Sequence, residues 1–182
     1  GLSGAGKSRA ADVLEDLDYY CVDNMPVALM PRFAELCIAT KGRYEKVALV
    51  TDVREKEGFD EVLTTIEQLR EMDCNCRILY MDADTETLVR RYKETRRRHP
   101  LQSKNVSLEQ AIEKEKELTA PIKAKADYLV SSNYLTLGML QNRLFTLFAG
   151  SGKKREIDVT VMSFGFKHGI PMDADLVFDA RF

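Results

Sequence analysis

Gly1-Leu2-Ser3-Gly4-Ala5-Gly6-Lys7-Ser8 opens the chain and decides how the rest is read. The stretch satisfies G-x-x-x-x-G-K-[ST] at every constrained position. Gly1, Gly4 and Gly6 allow left-handed backbone and a close approach to a phosphate with no Cβ in the way. The amides of the turn, across Leu2, Ser3 and Ala5, and those of the helix after Ser8 point at an anion, and the helix dipole adds to them. Lys7 is placed to reach the β- and γ-phosphates, and the Ser8 hydroxyl to ligate Mg²⁺. The competing reading is a glycine-rich turn that merely precedes a helix, and residue frequencies make such a full match rare by chance. The pattern also places a buried strand directly before Gly1, so the expectation is a chain cut inside a longer one.

Strand and helix patterns alternate outward from that loop. Ala10, Val13, Leu14 and Leu17 give one apolar face over residues 7–17. Tyr19 to Val22 reads as a short buried strand ending at Asp23-Asn24, and Phe33, Leu36 and Cys37 as a helix reaching Gly42. Val47 to Thr51 is a continuous run ending at Asp52, suited to a parallel strand covered on both faces. Phe59 to Met72 is amphipathic, Arg77 to Met81 is the next strand, and Asp84 caps the helix that follows. Ser107-x-x-Gln110 is a capping box for a helix to about Thr119, Ala126 to Val130 is a strand, and Leu135 to Phe148 an apolar helix. This order, with the opening loop, predicts an α/β fold, a P-loop NTPase parallel sheet flanked by helices. Residues 1–149 are the expected nucleotide-binding domain, 150–155 a linker, and 156–182 the beginning of a truncated C-terminal domain. There Ile157, Val159 and Val161 alternate as in a strand, and Leu176-Val177-Phe178 reads as another.

The chain has 182 residues, 45% of them hydrophobic and 31% charged, with a formal net charge of −2. That balance is ordinary for a globular chain and gives no global attraction to nucleic acid or to an acidic membrane. No apolar run approaches a membrane span, and a cytoplasmic location is expected. Cys21, Cys37, Cys74 and Cys76 lack zinc-ribbon spacing and read as reduced thiols.

Three carboxylates end strands and so face the ligand crevice of a parallel sheet: Asp23, Asp52 and Asp82. Asp52 is the best candidate for a Walker-B metal residue, its alternative being a cap of the next helix. Asp23 reads as a turn former beside Asn24, or as a base on the substrate side, and Asp82 as a structural cap. Arg90, Arg91 and Arg96 to Arg98 form a dense basic set. Either they close over the γ-phosphate, with Arg91 or Arg96 as the clamp, or they are a solvated face. His99 follows them with no nucleophile to pair with, while Lys167 and His168 lie in a loop able to bind phosphate.

Taken together the chain resembles the RapZ/YvcJ family of bacterial nucleotide-binding proteins. The segments that carry the resemblance are Gly1–Ser8, Tyr20–Asn24, Asp52-Val53-Arg54, Leu79–Asp84, Arg90-Arg91-Tyr92, His99-Pro100-Leu101, Ser103-Lys104-Asn105 and the distinctive Ser163–Pro171. The resemblance implies Mg²⁺ with ATP or GTP, slow hydrolysis, and a nucleotide site over Gly1–Ser8 that uses Lys7 and Ser8. A second nucleotide stretch carries over to Asp52, Val53, Arg54 and Glu55, of which Glu55 departs from the expected Asn or Ser. It further implies a homo-oligomer that in some members binds small RNA, serves an RNase and senses a phosphorylated metabolite. Those RNA contacts belong to a basic C-terminal tail that this chain does not carry. The rival reading is a small-molecule or nucleotide kinase with a P-loop and an arginine lid.

Overall fold

A computed structural model describes residues 1–40, 42, 44–51, 59–149, 160–170, 172 and 174–179. The chain divides into two units, Gly1–Ser151 and Gly152–Phe182.

The first unit is mixed α/β. Its strands are β1 (Tyr20–Val22), β2 (Val47–Leu49), β3 (Leu79–Asp82) and β4 (Tyr128–Ser131). Its helices are α1 (Lys7–Glu15), α2 (Met30–Ala39), α3 (Phe59–Glu71), α4 (Thr85–Thr95), α5 (Leu108–Ala124) and α6 (Leu137–Phe148). β1 pairs with β2 in parallel, Tyr20 opposite Val47 and Val22 opposite Leu49. β3 pairs with β4 in parallel, Leu79 opposite Tyr128 and Asp82 opposite Ser131. Between the pairs runs a cleft of about 910 Å³, lined from one side by Val47 to Thr51 and from the other by Arg77 to Met81.

Most elements follow from local chemistry. The Asp84 carboxylate accepts from the Thr87 amide at 2.7 Å and starts α4. Ser107 and Gln110 close a reciprocal capping box on α5. That helix passes Thr119 and takes Pro121 into its last turns. Proline there removes one N–H and frees the Glu117 carbonyl, and Glu117 lies on the exposed side of the helix. β2 is half-buried, and the cleft runs along one side of it. Its ladder still runs one residue on, since the Val50 amide donates to the Val22 carbonyl at 2.8 Å.

Among the described residues two apolar clusters hold this unit. The larger joins Leu2 and Ala5 of the opening loop to Ala10 and Val13 of α1, Tyr80 and Met81 of β3, Leu88, Ile112, Val130, Leu140 and Leu144. The smaller buries Met25, Val27, Met30 and Val62. In the second unit a 3₁₀ turn, Phe166–His168, is followed by Gly169 at φ 92°. The rings of Phe164 and Phe166 meet edge to face there, 5.1 Å apart. Leu176, Val177 and Phe178 form no strand: they are exposed and have no ladder to join among the described residues. The expected linker at 150–155, and Ile157 and Val159, lie outside the described residues.

Candidate functional site: a glycine loop between β3 and α1

The opening octapeptide folds as a loop anchored on β3. The Leu2 amide donates to the Met81 carbonyl at 2.9 Å, and the Ala5 amide to the Leu2 carbonyl at 3.1 Å. Leu2 and Ala5 are fully buried, so the loop is fixed from below while Gly4 and Ser8 stay exposed. Gly1 runs so close to β3 that a Cβ would sit 2.5 Å from the nitrogen and oxygen of Met81. Gly4 has φ 82° and Gly6 φ 102°, values that only glycine adopts without strain.

Gly6 is the N-cap of α1 and brings no side chain to the first amides of the helix. No acidic residue lies in that first turn either. An N-terminus of this kind presents N–H donors and the positive end of the helix dipole with no acidic side chain of its own first turn competing for them. The Lys7 ammonium folds back over the loop and donates to the Gly1 carbonyl at 3.0 Å. Backbone donors, left-handed glycines and one lysine make a cradle that fits a phosphate group; the exposed Ser8 hydroxyl is the oxygen available to a hard cation. Among the described residues no cluster of three His, Cys, Asp or Glu is placed to hold a metal.

Arg91, read from sequence as a clamp or a solvated side chain, is a brace. Its Nη1 donates to the Gly4 carbonyl at 3.0 Å and to the Ser132 hydroxyl at 2.9 Å, and its Nη2 to the Ser132 carbonyl at 2.9 Å. Ser132 is itself bonded to β3, its amide donating to the Asp82 carbonyl at 2.9 Å. Burial and the neighbouring Arg90 lower the Arg91 pKa somewhat, against the pull of Asp84 and Glu94. Tyr92 and Leu88 of α4 pack on the same turn, 3.3 and 3.4 Å from where a Gly4 Cβ would stand.

Arg96 caps α4 at its C-terminus with φ 52° and, like Arg97 and Arg98, is exposed. Asp82 accepts from the Lys123 ammonium at 2.7 Å and from the Ala83 amide at 3.0 Å. Asp23 takes the Asn24 amide at 2.8 Å in a tight turn. Asp52, Val53, Arg54 and Glu55 lie outside the described residues.

Residues 1–152 match the family model for the RapZ-like N-terminal domain. The chain belongs to the RapZ-like family. Residues 157–182 match the model for the RapZ C-terminal domain. Among similar RapZ-like proteins are three named "Nucleotide-binding protein". That of Heliobacterium modesticaldum is 43% identical over 182 residues, covering 100% of this chain and 60% of its own length. Those of Caldicellulosiruptor bescii and Clostridium perfringens are 44% and 45% identical over 100% of this chain, and 63% and 62% of theirs. The chain thus spans about three fifths of the curated relatives it matches.

Of the RapZ-like loop's surroundings, Glu115 escaped the sequence reading, and His99 was read without its partner. Glu115 and His99 are buried with no exposed side-chain surface, 2.9 Å apart, and Glu115 also takes the Ser3 amide at 2.9 Å. The signal for Glu115 was present: it occupies the buried stripe of α5 with Ala111, Ile112 and Thr119, where periodicity calls for an apolar residue. His99 gave no local sign, since its partner lies on the next helix. No helix among the described residues is long and apolar enough to cross a membrane.

Proposed function

We propose that residues 1–149 form a nucleotide-binding domain with the P-loop NTPase fold, joined through 150–155 to a C-terminal domain that begins at 156. Its activity is slow hydrolysis of ATP or GTP. The observation that carries this reading is the Gly1–Ser8 loop, with its two left-handed glycines, its helix N-terminus without an acidic residue, and Lys7 folded over it. The naming of the relatives supports it. In this reading the amides at the N-terminus of α1 and Lys7 hold the phosphates, those of Leu2, Ser3 and Ala5 being bonded to Met81, Glu115 and Leu2, and Ser8 and Asp52 would hold Mg²⁺. The ion would offset the phosphate charge. Because the Arg91 guanidinium is engaged with Gly4 and Ser132, the phosphate-facing role falls to the exposed Arg96. Small RNA, an RNase, a phosphorylated metabolite and self-association are proposed for the full-length protein.

Titration of a fluorescent ATP analogue, with phosphate release measured in parallel, tests the assignment. Lys7→Ala is expected to weaken triphosphate binding by roughly tenfold or more, the loss of a charge-assisted hydrogen bond, and to abolish release. Unchanged turnover with Mg²⁺ present would remove the assignment. The exposed run Arg96 to Arg98 beside the loop favours a second reading as a kinase; a screen of small hydroxyl acceptors for labelled phosphate decides between the two.

A further inference from the structure

The glycine loop is held from behind by a buried charge. Glu115 Oε1 accepts the Ser3 amide at 2.9 Å, and Oε2 lies 2.9 Å from Nε2 of His99. On the far side of the ring the Leu101 amide donates to His99 Nδ1 at 3.2 Å. These contacts fix the protons. Nδ1 faces a donor, so it presents its lone pair, and the one ring proton sits on Nε2 and is donated to Glu115. A proton on Glu115 would have to point at the Ser3 N–H or the His99 N–H, both already donors. The carboxylate is therefore ionised and the imidazole neutral, and no other assignment satisfies all four groups.

The two donors come from different places. Ser3 belongs to the loop that opens the chain, whereas His99 belongs to the loop after α4 and directly follows Arg96, Arg97 and Arg98. A second contact joins the same two segments. The Tyr92 ring lies 5.3 Å from the His99 ring and packs on the turn at Gly4. A carboxylate with two fixed donors and no exposed surface cannot absorb a shift of one donor without re-aiming the other.

We propose that Glu115 and His99 are positioning residues that tie the posture of the phosphate loop to that of the arginine loop, residues 96–102. Phosphate drawn onto the N-terminus of α1 pulls the loop, and the Ser3 amide with it, away from Glu115, and through His99 changes where the arginines stand. By linkage, whatever holds the arginines changes affinity at the loop by the same factor. The proposal rests on the reading of Gly1–Ser8 as the nucleotide site.

The test follows tryptic cleavage after Arg96, Arg97 and Arg98, mapped by mass spectrometry. It uses the intact protein without ligand and with ADP or a non-hydrolysable ATP analogue plus Mg²⁺, each at saturation for the variant used. In the unaltered protein nucleotide is expected to change cleavage roughly fivefold or more. In Glu115→Gln the carboxamide oxygen serves one donor only and its NH₂ opposes the other, so the change is expected to vanish although nucleotide is bound. An equal change in the two proteins, or none in the unaltered protein with nucleotide bound, overturns the link. Should Glu115→Gln fail to fold, ¹⁵N spectra of His99 in the unaltered protein decide. The Nε2–H tautomer and a shift on nucleotide addition are expected; a resonance unmoved by bound nucleotide overturns the link. Absence of any nucleotide binding sinks the site and the link together, whereas binding with an unmoved arginine loop sinks the link alone.

Discussion

Gly1 and Gly4 are constrained for different reasons, and substitutions separate them. At Gly1 an alanine Cβ meets the Met81 backbone at 2.5 Å, which cannot turn aside. Gly1→Ala is expected to shift the loop off β3 and to lower stability by about 1–3 kcal/mol, read as a fall in urea midpoint, with nucleotide affinity lost. At Gly4 the Cβ would meet only the flexible Tyr92 and Leu88 side chains, so the main cost of Gly4→Ala is its positive φ, about 1–2 kcal/mol. Arg91 is a sharper case. Its three hydrogen bonds use the planar fork, which lysine lacks, so Arg91→Lys is expected to lose nearly as much as Arg91→Ala. As a brace it acts on the loop in every state, so its loss should weaken ADP and ATP binding alike. A loss confined to the hydrolysis rate would return Arg91 to the role of phosphate clamp. At this scale the sequence was legible for Gly1–Ser8, whose logic is local. It was silent on Glu115 and Ser3, which meet across 112 positions of chain.

Among the elements, α4 and α5 were legible from their caps, because a cap is a bond between residues three apart. α5 was longer than expected because a proline near a helix end is tolerated when the carbonyl it frees is exposed. The failed strand at 176–178 shows the reverse: alternation and β-branching suit a strand, but pairing makes one. The caps also carry a pH signature. Hydrogen bonds from Thr87 hold Asp84 below the ordinary carboxylate range, and the Ile78 amide, with Arg77, does the same for Asp127. Depressed folded pKa values give stability that is fully present above the unfolded value, about pH 4, and is lost as pH falls through the folded one. Asp84→Asn keeps a good cap without the charge. Its unfolding midpoint is expected to fall less than that of the unaltered protein between about pH 5 and pH 2. Parallel acid limbs would show that the carboxylate charge at Asp84 does not act on stability.

Across the first unit, the two clusters differ in size, and so should their resistance to opening. The larger one reaches from the glycine loop through β3 and β4 to α6; the smaller rests on four buried side chains beside the cleft. Native-state hydrogen exchange is expected to find α2 opening by a sub-global route that leaves β3 and β4 closed. Leu144→Ala, in the larger cluster and fully buried, should cost about 2–5 kcal/mol and bring the two routes together. Exchange of α2 and β3 at one common free energy before that substitution would show a single cooperative unit. The alternation of strands and helices announced the parallel pairs, but not the division of the core, which depends on which faces meet.

The link behind the loop leaves a trace that can be sought in descent. It uses the N–H of Ser3, which every amino acid except proline carries, but the side chains of Glu115 and His99. The link itself bars only proline at position 3, a buried position. Positions 99 and 115 are bound by complementary chemistry and should be replaced as a pair, in a lineage that had found another way to seat its arginines.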